Sequence, residues 1–173
     1  ARLYSSDPEI RISQEILLGI GGVKVLEALK QKIDIYHMNE GHALPLVFEL
    51  YAKYRDMDEV KKRVVFTTHT PEDAGNEQHN IDLLHKFGFF NGLDLGTVLS
   101  IMLMENENNF NLTVGALRAS KITNGVSKFH GEVANRMWHE CEGRSEIIYI
   151  TNAQNRRFWT DKVLLAALDD HED

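Results

Sequence analysis

Cysteine is nearly absent from this chain. Its 173 residues include one, Cys141, which excludes an internal disulfide and fits a reducing compartment, so a cytoplasmic location is expected. Positive charge is also short: 19 Lys and Arg against 26 Asp and Glu give a formal net charge of -7. That balance argues against nucleic acid as the main partner, because phosphate binding relies on Lys and Arg. Long apolar runs are missing too. The longest, over 98–104, falls far short of the roughly 20 residues that span a bilayer, so no membrane partner is expected. The start, Ala1-Arg2-Leu3-Tyr4, has no initiator Met and no signal-peptide layout; processing or a cut through a longer protein would each produce it.

What is present suits a soluble globular domain. Hydrophobic residues make up 43% and charged residues 26%, and the length suffices for one domain with a sizeable core. Asp7-Pro8-Glu9 forms a helix start, with a capping carboxylate, proline at the first helical position and an acid in the first turn. Helical spacing then runs through Ile12, Ile16, Ile20, Val23 and Leu29. Gly19, Gly21 and Gly22 interrupt it, each at about 1 kcal/mol relative to alanine, which implies close packing against another backbone. They do not form a phosphate-binding loop, since that signature needs a strand before the glycines.

Two strand-like runs follow, 33–36 and 64–66. Each leads directly into a polar cluster: His37-Met38-Asn39-Glu40-Gly41-His42 after the first and Thr67-Thr68-His69-Thr70-Pro71 after the second. Between them lies a helix opened by Pro45, with Leu46, Val47, Leu50, Tyr51 and Tyr54 on its apolar face. The alternation predicts an α/β fold with parallel pairing and right-handed crossovers. Short helices are expected over 81–90, 98–104 and 112–119, with a polar loop at 105–109. Asn124-Gly125 reads as a turn, 127–140 as a longer helix with Phe129, Val133 and Met137 on one face, and 147–150 as a third strand. Thr151-Asn152 makes a third polar cluster behind that strand, and the acidic end at 169–173 reads as a solvated tail.

Ligands of parallel α/β sheets bind at the carboxyl ends of strands, so these clusters point to one site for a polar, hydroxyl-rich ligand. Sugar hydroxyls need donors and acceptors at fixed positions. Asn39, Glu40, His42 and His69 supply both, and Glu77 adds an acceptor. An ionised Glu40 would make charge-assisted bonds. Other chemistries fit less well. His37 and His42 stand five apart without a His-Glu-x-x-His helix, so no metal centre is expected. Cys141 has no orienting partner beyond the neighbouring His139 and reads as structural. His79 and His85 read as surface or packing residues. Nothing near the clusters looks like a cofactor attachment point or a basic phosphate clamp.

With these motifs the sequence resembles the α-glucan phosphorylase family, and its shorter prokaryotic branch in particular. Leu3-Tyr4-Ser5-Ser6-Asp7 and Arg11-Ile12-Ser13-Gln14-Glu15 resemble the family's Leu-Tyr-Pro-Asn-Asp and Arg-Leu-Lys-Gln-Glu segments. Asn39-Glu40-Gly41-His42 and Phe66-Thr67-Thr68-His69-Thr70-Pro71 are similar to motifs of that branch. Asn124-Gly125-Val126-Ser127-Lys128-Phe129-His130-Gly131-Glu132 resembles its Asn-Gly-Val-Ala-x-x-His-Ser-Glu stretch, and Thr151-Asn152 with Arg156, Arg157 and Trp159 resembles a Thr-Asn-Gly turn near the crossover between domains. Two departures stand out: Glu40 replaces Asp of the better-known motif, and Ala153-Gln154-Asn155 replaces the glycine-containing turn.

The resemblance implies a Rossmann-like half of a glycosyltransferase-B fold: 1–160 as part of an N-terminal glucosyl-binding domain and 161–173 as an interdomain or acidic tail segment. It also implies transfer of a terminal glucosyl unit from an α-1,4-glucan to phosphate, giving glucose 1-phosphate with pyridoxal phosphate as cofactor. Asn39, Glu40 and His42 would line the glucosyl site, His69 would help stabilise a developing oxocarbenium charge, and Glu77 would contact glucan. The cofactor lysine and the phosphate clamp belong to a second, C-terminal domain that no part of this chain matches. These residues alone are therefore expected to be inactive and to hold no pyridoxal phosphate. A nucleotide-sugar glucosyltransferase such as a glycogen synthase, and a non-catalytic glucan-binding module, are the competing readings. The oligomeric state stays open, a homo-oligomer included.

Overall fold

A computed structural model describes residues 5–72, 76–104 and 108–169. The motif residues Leu3 and Tyr4, the part of the expected polar loop at 105–107 and the acidic end at 170–173 lie outside the described residues, as do the side chains of Arg156 and Arg157.

The first helix forms as its cap predicts. In α1 (Pro8–Ile16) the Asp7 carboxylate accepts the backbone N–H groups of Glu9 and Ile10. The helix widens into a single π-turn at Leu17–Gly21 and continues as α2 (Gly22–Ala28). Gly19 explains the approach: a Cβ there would stand 2.6 Å from the Leu46 nitrogen and 2.9 Å from Pro45 Cβ. Gly22 has nothing within 4 Å of such a Cβ, so close packing accounts for the first glycine and not for the last.

Strand β1 occupies Tyr36–Asn39 rather than 33–36. Its buried residue is Met38, while His37 and Asn39 are exposed, so the strand is marked by alternation and the apolar run only leads into it. A tight turn at Gly41–Ala43 carries the chain into α3 (Pro45–Tyr54), followed by α4 (Met57–Lys61) and β2 (Val64–Thr68). Next come β3 (Gln78–Asn80), α5 (Ile81–Phe87), α6 (Leu95–Ile101), β4 (Asn109–Asn111) and α7 (Leu112–Ala119). The antiparallel β3–β4 pair was not foreseen; three residues per strand are too few for a periodic signal. Gly88 ends α5 at φ 80°, a left-handed stop that glycine adopts freely.

Asn124-Gly125 is no turn but the end of β5 (Ile122–Gly125), which leads into α8 (Lys128–Met137), capped by Ser127. The expected apolar face of α8 is also corrected. Phe129 is 72% exposed, and the helix buries His130, Gly131 and Ala134 instead. Small residues win there because the sheet comes close: a Cβ on Gly131 would stand 3.0 Å from Tyr149 Cβ. Strand β6 (Glu146–Tyr149), α9 (Arg156–Trp159) and α10 (Lys162–Asp169) complete the described chain.

Strands β1, β2, β5 and β6 form one parallel sheet in that order, with Asn39, Thr67 and Asn124 level across three neighbours. Met38, Val64, Phe66, Thr123 and Ile147 face the core. Phe90 contacts Phe48 on α3, Phe89, and Phe110 on β4 edge-on, with centroids 5.1–5.4 Å apart, and so anchors the excursion between β2 and α7. Among the described residues no helix is long and apolar enough to cross a membrane.

Candidate functional site

The loops after β1 and β2 meet at the carboxyl rim of the sheet. Glu40 links them. Its carboxylate accepts the backbone N–H of His69 in a short hydrogen bond and faces the Thr70 hydroxyl at 3.4 Å, while its own N–H donates to the Thr67 carbonyl at 2.9 Å. The backbone of Glu40 is strained: φ 65° with ψ 169° is a region that glycine alone enters easily, costing other residues about 1–3 kcal/mol, and such strain gathers at ligand sites. Gly41 lets this loop rest on α7, since a Cβ there would stand 3.0 Å from Leu112 Cβ.

A cleft of about 180 Å³ opens beside the loop, lined by Arg11, Glu40, Gly41, His42, Thr70, Glu77 and Thr113. The structure thus brings together Glu40, His42 and Glu77 of the predicted set. Asn39 and His69 do not line the cleft; both are exposed at its rim. Burial, reinforced by the nearby Arg11 charge, lowers the His42 pKa against an opposing pull from Glu40. A neutral imidazole in the cleft can both donate and accept.

Arg11 was missed as a site residue. Its guanidinium grips Glu77 through two bonds, Nε to Oε1 at 2.8 Å and Nη2 to Oε2 at 2.7 Å, the fork geometry that fixes a carboxylate most firmly. His79 Nε2 lies 3.2 Å from Glu77 and 3.6 Å from the buried Glu15, which also stands 3.2 Å from Arg11 Nε. Burial raises the Glu77 pKa, but hydrogen bonds from Arg11 and His79 outweigh it and hold the carboxyl well below the usual range. Hydrogen bonding to Glu15 and then Glu77 pushes His79 up to about 9. Burial keeps Glu15 above the ordinary carboxylate value. Donor atoms of Glu15, Glu77 and His79 fall within 4.8 Å of one another, close enough for a metal. Arg11 and a protonated His79 already balance the two carboxylates, so the cluster reads as an ion network steadying Glu77.

A second chain of bonds crosses the sheet above the rim. His37 Nε2 and Thr67 Oγ1 are 2.7 Å apart, and Thr67 Oγ1 donates to Asn124 Oδ1 at 2.7 Å. Behind β5, His130 Nδ1 accepts the Val126 N–H at 3.1 Å, leaving the proton on Nε2, which is buried and has no hydrogen-bond partner among the described residues. Burial lowers its pKa against an opposing pull from Glu40. The third polar cluster joins here through the Asn152 N–H, which donates to the Val126 carbonyl at 3.1 Å. Arg11 and His130 both stand inside segments that resemble the phosphorylases, which was the available signal. A larger hollow of about 550 Å³, bordered by Arg118, Trp138 and Cys141, holds none of the predicted residues.

Fold and site together define a Rossmann-like parallel α/β protein with a polar cleft where its first two strands end. The chain is similar, over most of its length, to part of the glycogen and maltodextrin phosphorylases. It is 32% identical to the maltodextrin phosphorylase of Thermococcus litoralis over 182 residues, covering 96% of this chain and 22% of that protein. With the glycogen phosphorylase of Mycobacterium tuberculosis it shares 33% over 163 residues, 80% of this chain and 19% of the relative. An uncharacterised protein of Methanocaldococcus jannaschii is 44% identical over 165 residues, 95% of this chain and 31% of that protein. The chain therefore spans between a fifth and a third of the length of these relatives. No protein-family model matches it.

Proposed function

We propose that this chain forms the glucosyl-binding part of an α-1,4-glucan phosphorylase of the reducing cytoplasm, an enzyme that transfers a terminal glucose from glucan to phosphate and releases glucose 1-phosphate. The observation that carries the reading is the convergence of Glu40, His42 and Glu77 on one cleft in a chain similar to two kinds of phosphorylase. Neutral His42 and the ionised Glu77 would bind sugar hydroxyls, Thr70 would add a hydroxyl, and the strained Glu40 loop would set their spacing. His69 and Asn39, at the rim, would meet a sugar ring that projects from the cleft. The volume is below the ~300–1,000 Å³ of sites for drug-sized ligands, which suits one ring better than a chain of them.

Pyridoxal phosphate does not fit the cleft itself. Among the described residues no lysine lines it, and the guanidinium of Arg11 is held by Glu77. Cofactor and phosphate would be held by polypeptide outside the matched stretch, and this chain's share is binding and orientation. The test is an assay of the intact Methanocaldococcus jannaschii relative beside this chain, each given maltodextrin and phosphate. Glucose 1-phosphate should form with the relative alone. Nuclear magnetic resonance of this chain titrated with maltotriose should shift signals from Glu40, His42 and Glu77. Turnover of a nucleotide sugar by the relative, with no phosphorolysis of any α-glucan, would replace the phosphorylase with a synthase. Glucan binding by the relative without either reaction would leave a binding module.

A further inference from the structure

Thr113 forms a wall of the cleft that no sequence motif marks. It is the second residue of α7, and the turn that carries it is firmly held. Asn111 caps the helix by accepting the Val114 N–H at 3.1 Å, the Leu112 N–H donates to the Glu77 carbonyl at 3.0 Å, and the Leu112 side chain is fully buried. Gly41 lies against the same turn: a Cβ there would stand 3.3 Å from the Thr113 nitrogen. The backbone alone thus brings Thr113 beside both Glu77 and the loop of Glu40.

Its side chain has no task inside the fold. A hydroxyl on a helix commonly turns back onto a carbonyl three or four residues earlier, as Ser120 does onto Ala116 at 2.7 Å. Thr113 makes no such bond. It is 3% exposed, yet among the described residues its hydroxyl has no hydrogen-bond partner and is not sealed from the surface. The open space beside it is the cleft.

Donors are what the cleft is short of. Ionised, Glu40 and Glu77 only accept. The Arg11 guanidinium is bound to Glu77 through two of its groups, and the Thr70 hydroxyl faces Glu40. A sugar hydroxyl both gives and takes a proton, so one that donates to Glu77 still needs a donor for its own oxygen. We infer that Thr113 is a ligand-contacting, specificity-determining residue: its hydroxyl and the Glu77 carboxylate grip one hydroxyl of the ring seated in the cleft, Thr113 donating to the oxygen and Glu77 accepting the proton. The inference rests on the glucosyl reading of the cleft and adds a preference to it. A ring without that hydroxyl loses both bonds at once, so the cleft selects rings by what stands at that one position.

Binding of maltotriose to this chain and to two variants, followed by nuclear magnetic resonance, tests it, with a thermal melt of each protein. Thr113→Val keeps the shape and removes the hydroxyl. It should weaken binding by about 2- to 10-fold and leave the melting temperature where it was. Thr113→Ser keeps the hydroxyl and should bind as the parent chain does. Maltotriose analogues that each lack one hydroxyl of the non-reducing ring locate the contact. For one of them the parent chain and Thr113→Val should bind equally, because the bond is already gone. Failure of the parent chain to bind maltotriose would remove the glucosyl reading and this inference with it. With the parent chain binding, equal affinity of Thr113→Val, a clear fall in its melting temperature, loss of binding in Thr113→Ser, or further weakening of every analogue by Thr113→Val would each overturn the role of Thr113 alone.

Discussion

At the scale of single residues, the site depends on a backbone conformation and an ion network that pull in different directions. Glu40 sits where glycine would be at ease, yet its carboxylate ties two loops together. Replacing it should separate the two effects. Glu40→Ala loses the tie and keeps the strain; Glu40→Gly loses the tie and relieves it. Glu40→Gly should therefore be the more stable variant by about 1–3 kcal/mol, measured by urea denaturation, and equal stabilities would mean that the strain is absent. His79 gives a second test. Its pKa is raised from 6.5 to about 9 by Glu15 and Glu77, so its contribution is complete below pH 6.5 and is lost as pH rises through 9. Unfolding free energy should fall across that window, by an amount on the order of 3 kcal/mol at most, with the melting temperature falling alongside it, and His79→Gln should flatten the fall. Glu40, His42 and Glu77 were legible in the sequence because polar residues behind strand-like runs, and their resemblance to known motifs, mark them. Arg11 and His79 were not. Arg11 and Glu77 lie 66 positions apart, and no local pattern reports a bond that only the packing of α1 against the start of β3 creates.

Among the elements, α1 and α2 show how a helix can hold three glycines and still form. Gly19 is needed, because a methyl group there meets the Leu46 nitrogen at 2.6 Å. Gly22 is not, since its backbone is helical and the space beside it is empty. Gly19→Ala should thus destabilise by about 1–3 kcal/mol through overpacking, whereas Gly22→Ala should stabilise by about 0.4–1 kcal/mol; thermal melts of the two variants decide. The helices were the easiest elements to foresee, because caps and stops such as Asp7, Pro45 and Gly88 are local signals. The runs 64–66 and 147–150 fall on β2 and β6, but β1 was displaced and β5 missed for a physical reason. Each buries one face, so β1 shows as polar residues alternating with Met38, and β5 hides Asn124-Gly125 in extended backbone rather than a turn.

For the whole molecule, the parallel α/β arrangement followed from strand–helix alternation, but the strand order β1-β2-β5-β6 did not, because the sequence leaves it open until the pairing is known. The same order has an effect on how the protein can change. Strand interiors hold the core, whereas the groups that would meet a ligand sit on connections at one rim. Selection can therefore rewrite the connections without repacking the sheet. Glu77 is the exception: moored to Arg11 on the first helix, it makes one wall of the cleft answerable to a distant part of the chain, and a descendant that altered either partner would have to alter both.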